Sequence, residues 1–168
     1  FKNCGLLTNL NVSYFDTSNV TTMERMFSNC NRLTSLNLSG FDTSKVSDMD
    51  GIFYNCQSLT SLDLSGLNTG NVTDMDYMFA GCINLTSLDI SNFDTSNVIN
   101  MKWMFSDCDR LTSLNLSGFD TSKVTSMYEM FDGCNKLQSI TAPQTVKEKI
   151  LKPEFNASVP SGVIWITN

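Results

Sequence analysis

The chain has 168 residues, 41% of them hydrophobic, enough apolar material for one core. Its net charge is −6 and its isoelectric point about 4.4, so it offers no electrostatic footprint to nucleic acid or anionic lipid, and neither is expected as a partner. It has no histidine, which excludes Ser–His and Cys–His nucleophiles and histidine metal sites, and no apolar run approaches the ~20 residues that would insert across a membrane.

Taken from its first residue, the chain repeats itself. Cysteines stand at 4, 30, 56, 82, 108 and 134, each 26 residues from the last. Phe1, Phe27, Phe53, Phe79, Phe105 and Phe131 share a position three residues earlier. A period in this range marks one supersecondary unit stacked on copies of itself. Phe1 already stands inside a unit, so the chain reads as N-terminally truncated: five full units and a partial sixth over residues 1–143.

Within a unit the spacing changes regime. Leu36 and Leu38 lie two apart, a strand period, with Ser35, Asn37 and Ser39 on the opposite side. Val46, Met49, Ile52, Phe53 and Cys56 follow at intervals of 3, 3, 1 and 3, which predicts a short helix with Asp42, Thr43 and Ser44 at its start. Stacking such units predicts an α/β right-handed solenoid with one parallel sheet face and short helices on the other. The pattern ends at Pro143. Residues 144–168 are expected to form a C-terminal cap: a helix over 145–151, a proline-bracketed loop, and a strand over 163–167.

The Leu-x-x-Leu-x-Leu core of each unit (Leu33, Leu36 and Leu38) is a leucine-rich-repeat pattern. The longer motif, Leu-Thr-Ser-Leu-x-Leu-Ser-x-Phe-Asp-Thr-Ser-x-Val-x-x-Met-x-x-Met-Phe-x-x-Cys, resembles the BspA-type leucine-rich-repeat surface proteins of bacteria, in the subgroup found in Gram-positive and mycoplasmal proteins. The resemblance implies an extracellular, cell-surface location and a role in adhesion or protein binding, with a host or bacterial surface protein as partner. It carries over no catalytic residue and no cofactor.

Several ladders arise from the repetition. The cysteines fall on the apolar face, which favours buried free thiols over disulfides between neighbouring turns or a metal ladder. Asp16, Asp42, Asp94 and Asp120, with Asn68 between them, read as turn caps, with calcium bridging as the alternative. Thr17, Thr43, Thr69, Thr95 and Thr121 form a single row, where an ice-binding face would need a flat double one. Paired carboxylates recur only because the unit does, and no unit departs from the pattern to build a catalytic site, so an enzyme is not expected.

Two surfaces remain as candidate partner contacts. One is the sheet face, with Ser35, Asn37, Ser61, Asp63, Ser87, Asp89, Ser113 and Asn115. The other is the outward side of the expected helices. There one position carries Arg25, Gly51, Tyr77, Trp103 and Glu129 in successive units, so Tyr77 and Trp103 become neighbours, with Tyr54 and Tyr128 close by. A protein-binding module, a structural stalk and a glycan-binding module are the three readings these surfaces allow.

Overall fold

The computed structural model describes residues 1–167; Asn168, the last residue of the expected cap, lies outside them. Strands β1 (Ser35–Asn37) and β2 (Ser61–Asp63) pair in parallel, with Ser35 opposite Ser61. Strands β3 (Ser113–Asn115), β4 (Ser139–Ala142) and β5 (Ile164–Thr167) form a second parallel group. The expected strand at 87–89 does not complete a ladder, and the sheet is split there. Next to the break Asn92 replaces the glycine of neighbouring units. Its amide donates to the Leu64 and Leu67 carbonyls, at 3.0 Å each. In the unit before, a Cβ on Gly66 would collide with the Ser39 carbonyl, so that position accepts no larger residue.

The expected helices on the back face are absent. The segment from Met23 to Cys30 is a run of tight turns, closed by Met26 N–H to Met23 O, Ser28 N–H to Arg25 O and Cys30 N–H to Phe27 O. Between these, alternate N–H groups leave the unit altogether. Met23, Arg25, Phe27 and Asn29 donate to the carbonyls of Asp48, Asp50, Ile52 and Tyr54 at 2.8–2.9 Å. The same set recurs from Met49, Met75 and Met101. An α-helix would keep these donors for its own carbonyls; here the neighbouring unit takes them. Successive three-residue turns also repeat their apolar positions about every third residue, so the spacing imitated a helix.

This arrangement needs left-handed backbone at two places per unit. One is taken by Asn29, Asn55, Gly81, Asp107 and Gly133, at φ 56–76°, residue types that tolerate it. The other is taken by Arg25, Gly51, Tyr77, Trp103 and Glu129, at φ 51–55°. For the bulky residues this is strained, at a cost on the order of 1 kcal/mol each.

The interior is a set of like-on-like stacks. The six phenylalanine rings lie nearly parallel, their centroids 5.7–6.0 Å apart, an offset-stacking distance. Each cysteine from Cys30 to Cys134 is buried and unpaired, and its thiol donates to the phenylalanine carbonyl of the unit before, as Cys56 does to Phe27 at 3.1 Å. The threonines are buried too, which removes them from any ice-facing surface. Thr69 Oγ1 donates to the Asp94 carbonyl at 2.9 Å and accepts the Asp94 N–H at 2.8 Å. Thr17, Thr43 and Thr95 do the same for their neighbours.

The segment after Pro143 takes up the groups that a further unit would have taken. Asn156 and Ala157 carbonyls accept the Glu129 and Phe131 N–H groups at 2.9 and 3.0 Å. Helix α1 (Gln144–Ile150) buries Val146 and Ile150, and its Lys149 donates to the carbonyls of Thr121 and Ser122. A short 3₁₀ turn (Pro153–Phe155) leads towards β5, which pairs with β4.

Replacing Thr69 by valine keeps its shape but orphans the part-buried Asp94 N–H. The expected loss is roughly 2 kcal/mol of unfolding free energy in urea, with Thr69→Ser losing less than half as much. Equal losses for the two variants would show that the methyl group, not the hydroxyl, matters.

Candidate functional site

On the sheet face Ser35, Asn37, Ser61, Asp63, Ser113 and Asn115 are exposed as expected. Ser87 and Asp89 are exposed as well, although outside the paired strands. Much of the polar capacity of this face is already used. Asn37, Asp63, Asp89 and Asn115 each accept the N–H of the serine two residues on, at 2.8–3.1 Å. The Ser65 hydroxyl and N–H hold the Asp63 carboxyl below its ordinary pKa, and Ser91 does the same for Asp89.

The Asp16, Asp42, Asp94 and Asp120 ladder closes turns, not helices. Each carboxylate accepts the serine N–H two residues on, and Asn68 does so from Gly70. These bonds lower the four aspartate pKa values. Among the described residues no three carboxylates or thiols converge closely enough to hold a metal ion.

The back face brings the four expected aromatic residues together. Tyr77 and Trp103 stack at 4.6 Å and 10°. Tyr54 meets Tyr77 edge to face at 5.8 Å, and Tyr128 meets Trp103 likewise at 5.4 Å. Arg25 closes one end, 5.6 Å over Tyr54 and ion-paired to Asp50 at 3.0 Å. Glu129 closes the other, accepting the Trp103 indole N–H at 3.0 Å. Bonds from Tyr128 and Trp103 keep Glu129 below the ordinary glutamate pKa.

Beside this ridge runs a groove of about 310 Å³, whose walls include Tyr77, Trp103, Asp107, Glu129 and Asp132. Asp107 and Asp132 escaped the sequence reading. The signal was there in the departures from the repeat. Asp107 stands where other units have Asn29, Asn55, Gly81 and Gly133, and Asp132 where they have Ser28, Tyr54, Ala80 and Ser106. The fifth and sixth units therefore do break the pattern, and they break it together.

Further along the back face the stacking gathers acids. Asp48 and Asp74 pair through isolated backbone bridges, and Asp50 and Asp76 lie two residues on from each. Burial, then the Asp74 charge, pushes Asp76 up to about 6, against a Lys102 N–H bond of 2.7 Å and the Lys102 ammonium. An aspartate whose pKa rises on folding disfavours the folded state once ionised. That penalty is full above about pH 6 and vanishes below the unfolded value near 3.8. The aspartates with lowered values act oppositely, and their contribution is lost in more acid solution.

Stability is therefore expected to peak near pH 4 and to fall between about pH 4 and 6. Asp76→Asn should raise unfolding free energy at pH 7 by roughly 2 kcal/mol and flatten the fall between about pH 4 and 6; an unchanged slope would remove Asp76 as its cause. Burial also pushes the Cys56 and Cys134 thiols up to about 12 and raises Cys82 and Cys108 well above the ordinary thiol value, whereas Cys4 is exposed. A thiol reagent on the native protein should label Cys4 alone within minutes and the rest only on unfolding. Fast labelling of a second thiol would contradict the buried ladder.

Among the described residues no helix is long and apolar enough to cross a membrane. A search of curated proteins gives no match. Among solved structures, a leucine-rich repeat protein from Bacteroides ovatus ATCC 8483 aligns over 99% of this chain and 56% of its own, at 19% identity and a TM-score of 0.28. The chain thus spans little more than half of that protein, and so distant a likeness adds nothing to the geometry above. The family comparison is decisive, and agrees with the bacterial repeat pattern read from the residues: residues 1–65 and 60–159 match DUF285, described as Mycoplasma protein of unknown function, and the chain belongs to that family.

Proposed function

We propose that this chain is a non-enzymatic binding segment of an extracellular bacterial surface protein. In this reading residues 1–143 are a right-handed solenoid of 26-residue units, residues 144–168 are its C-terminal cap, and the stack displays a rigid surface to a host or bacterial partner protein. Its mechanism is presentation: adjacent turns hold side chains at fixed spacing, so little conformational entropy is lost when a partner docks.

One observation carries this reading. Interior positions hardly vary from unit to unit, while among the outward positions that do vary, Tyr77, Trp103, Asp107, Glu129 and Asp132 come together along one ridge and groove. A scaffold alone gives no reason for such clustering. Tyr54 and Tyr128 flank the same ridge. The stalk reading draws on the uniform phenylalanine, cysteine and threonine ladders and the small side chains of the sheet face. The glycan reading is less well supported, because a sugar ring needs an open aromatic face and Tyr77 and Trp103 each cover one face of the other.

The test is binding of the purified chain to arrays of bacterial and host surface proteins and of glycans, beside a Tyr77→Gly, Trp103→Gly variant. Gly51 already serves at this left-handed position, so the variant should keep the fold. The expected result is saturable protein binding that the variant weakens about tenfold or more. Binding that survives would move contact to the sheet face, sugar binding would favour the glycan module, and no binding to either array would leave the stalk.

A further inference from the structure

We propose that the groove beside Tyr77 and Trp103 takes a cationic side chain, lysine or arginine, from an extended basic segment of the partner protein. This rests on the reading of the back face as a recognition surface and names the chemistry it selects. Three carboxylates line the groove: Asp107, Glu129 and Asp132. Each stands where most other units carry a neutral residue or a base. Among the described residues, none of the three lies within 4.0 Å of a lysine or arginine nitrogen; the ion pairs of the chain are Arg25 with Glu24 and Asp50, and Lys102 with Asp76.

The place for Asp107 is built. A Cβ on Gly133 would collide with its carboxylate oxygen, so the glycine of the next unit makes the room it occupies. Burial and the neighbouring charges of Asp132 and Asp109 raise the Asp107 pKa, the direction expected of an acid whose nearby charges are of its own sign. A cation in the groove would relieve that repulsion. Because the carboxylates are not gathered closely enough for a metal ion, the fitting occupant is an extended organic cation. Its methylene stem would lie along the aromatic wall of Tyr77 and Trp103 while its head reaches the acids. The net charge of −6 adds a long-range attraction of the same sign.

Trp103 reports on the groove directly. The chain has two tryptophans, and Trp165→Phe leaves Trp103 as the only indole. Its fluorescence would be titrated with a short blocked peptide alternating glycine with lysine and arginine, and with the same peptide carrying norleucine or glutamate instead. The test variant is Asp107→Asn with Glu129→Gln. Asparagine occupies the Asp107 position in other units, and glutamine can still accept the Trp103 N–H, so folding should survive. The control, Asp63→Asn with Asp89→Asn, removes the same charge from the sheet face, where Asn37 and Asn115 already serve.

The expected result is saturable binding of the basic peptide only, weakened about tenfold by the groove variant, within about twofold of the parent for the control, and several-fold weaker at higher salt. Equal binding of the norleucine peptide, equal weakening by the control, or no saturable change at millimolar peptide would overturn the assignment. If the basic peptide fails while an array protein still binds through Tyr77 and Trp103, the recognition surface stands and the cation does not. If both fail, both fall.

Discussion

Everything in this fold depends on backbone donors that a single unit cannot satisfy. Alternate N–H groups of the back segment, such as Met23, Arg25, Phe27 and Asn29, find their carbonyls one unit further on. A buried amide without a partner costs as much as a lost hydrogen bond, so an isolated unit has no stable form and the stack must grow until something different closes it. Here the closing carbonyls belong to Asn156 and Ala157, and the closing ammonium to Lys149. Each substitutes for a group of the repeat without copying it.

Translation by one unit places every side chain beside its own copy, and that decides which residues the interior tolerates. Phenylalanine stacks on phenylalanine. A threonine hydroxyl both donates and accepts, so it bridges two backbones without leaving a proton unmatched. Cysteine presents a small thiol that stays protonated when buried and finds the carbonyl behind it. Carboxylates tolerate the same treatment only at the surface or beside a base. The acids from Asp48 to Asp76 show the cost: Asp76 is pushed up by burial and its neighbour Asp74, with Arg25 and Lys102 placed at the two ends of the cluster.

The ridge is where these demands meet. The turn that sends its N–H groups outward forces positive φ on Tyr77 and Trp103. Their mutual stacking, the edge contacts of Tyr54 and Tyr128, and the indole bond to Glu129 hold that strained backbone in place. Strain at large half-buried side chains, with unusual charges alongside, fits the contact surface proposed for this ridge.

The order of units, the identity of the buried side chains, the outward aromatic neighbours and the final helix and strand were all legible in the residues, because a fixed period projects each position onto one line of the stack. The short helices were not, since a train of three-residue turns and an α-helix space their apolar positions almost alike. Val46, Met49, Ile52 and Cys56 suit either, and the choice lies with the backbone donors, which the neighbouring unit claims. The break at 87–89 was hidden for a related reason, whereas Asp107, Glu129 and Asp132 stand out in the residues as departures from the repeat, and the fold brings them into one groove. Sequence by itself determined which residues stack on which, since that follows from period and polarity. Only the tertiary structure decided where the backbone hydrogen bonds go, because each N–H has one proton and the partner it takes is set by the unit packed against it.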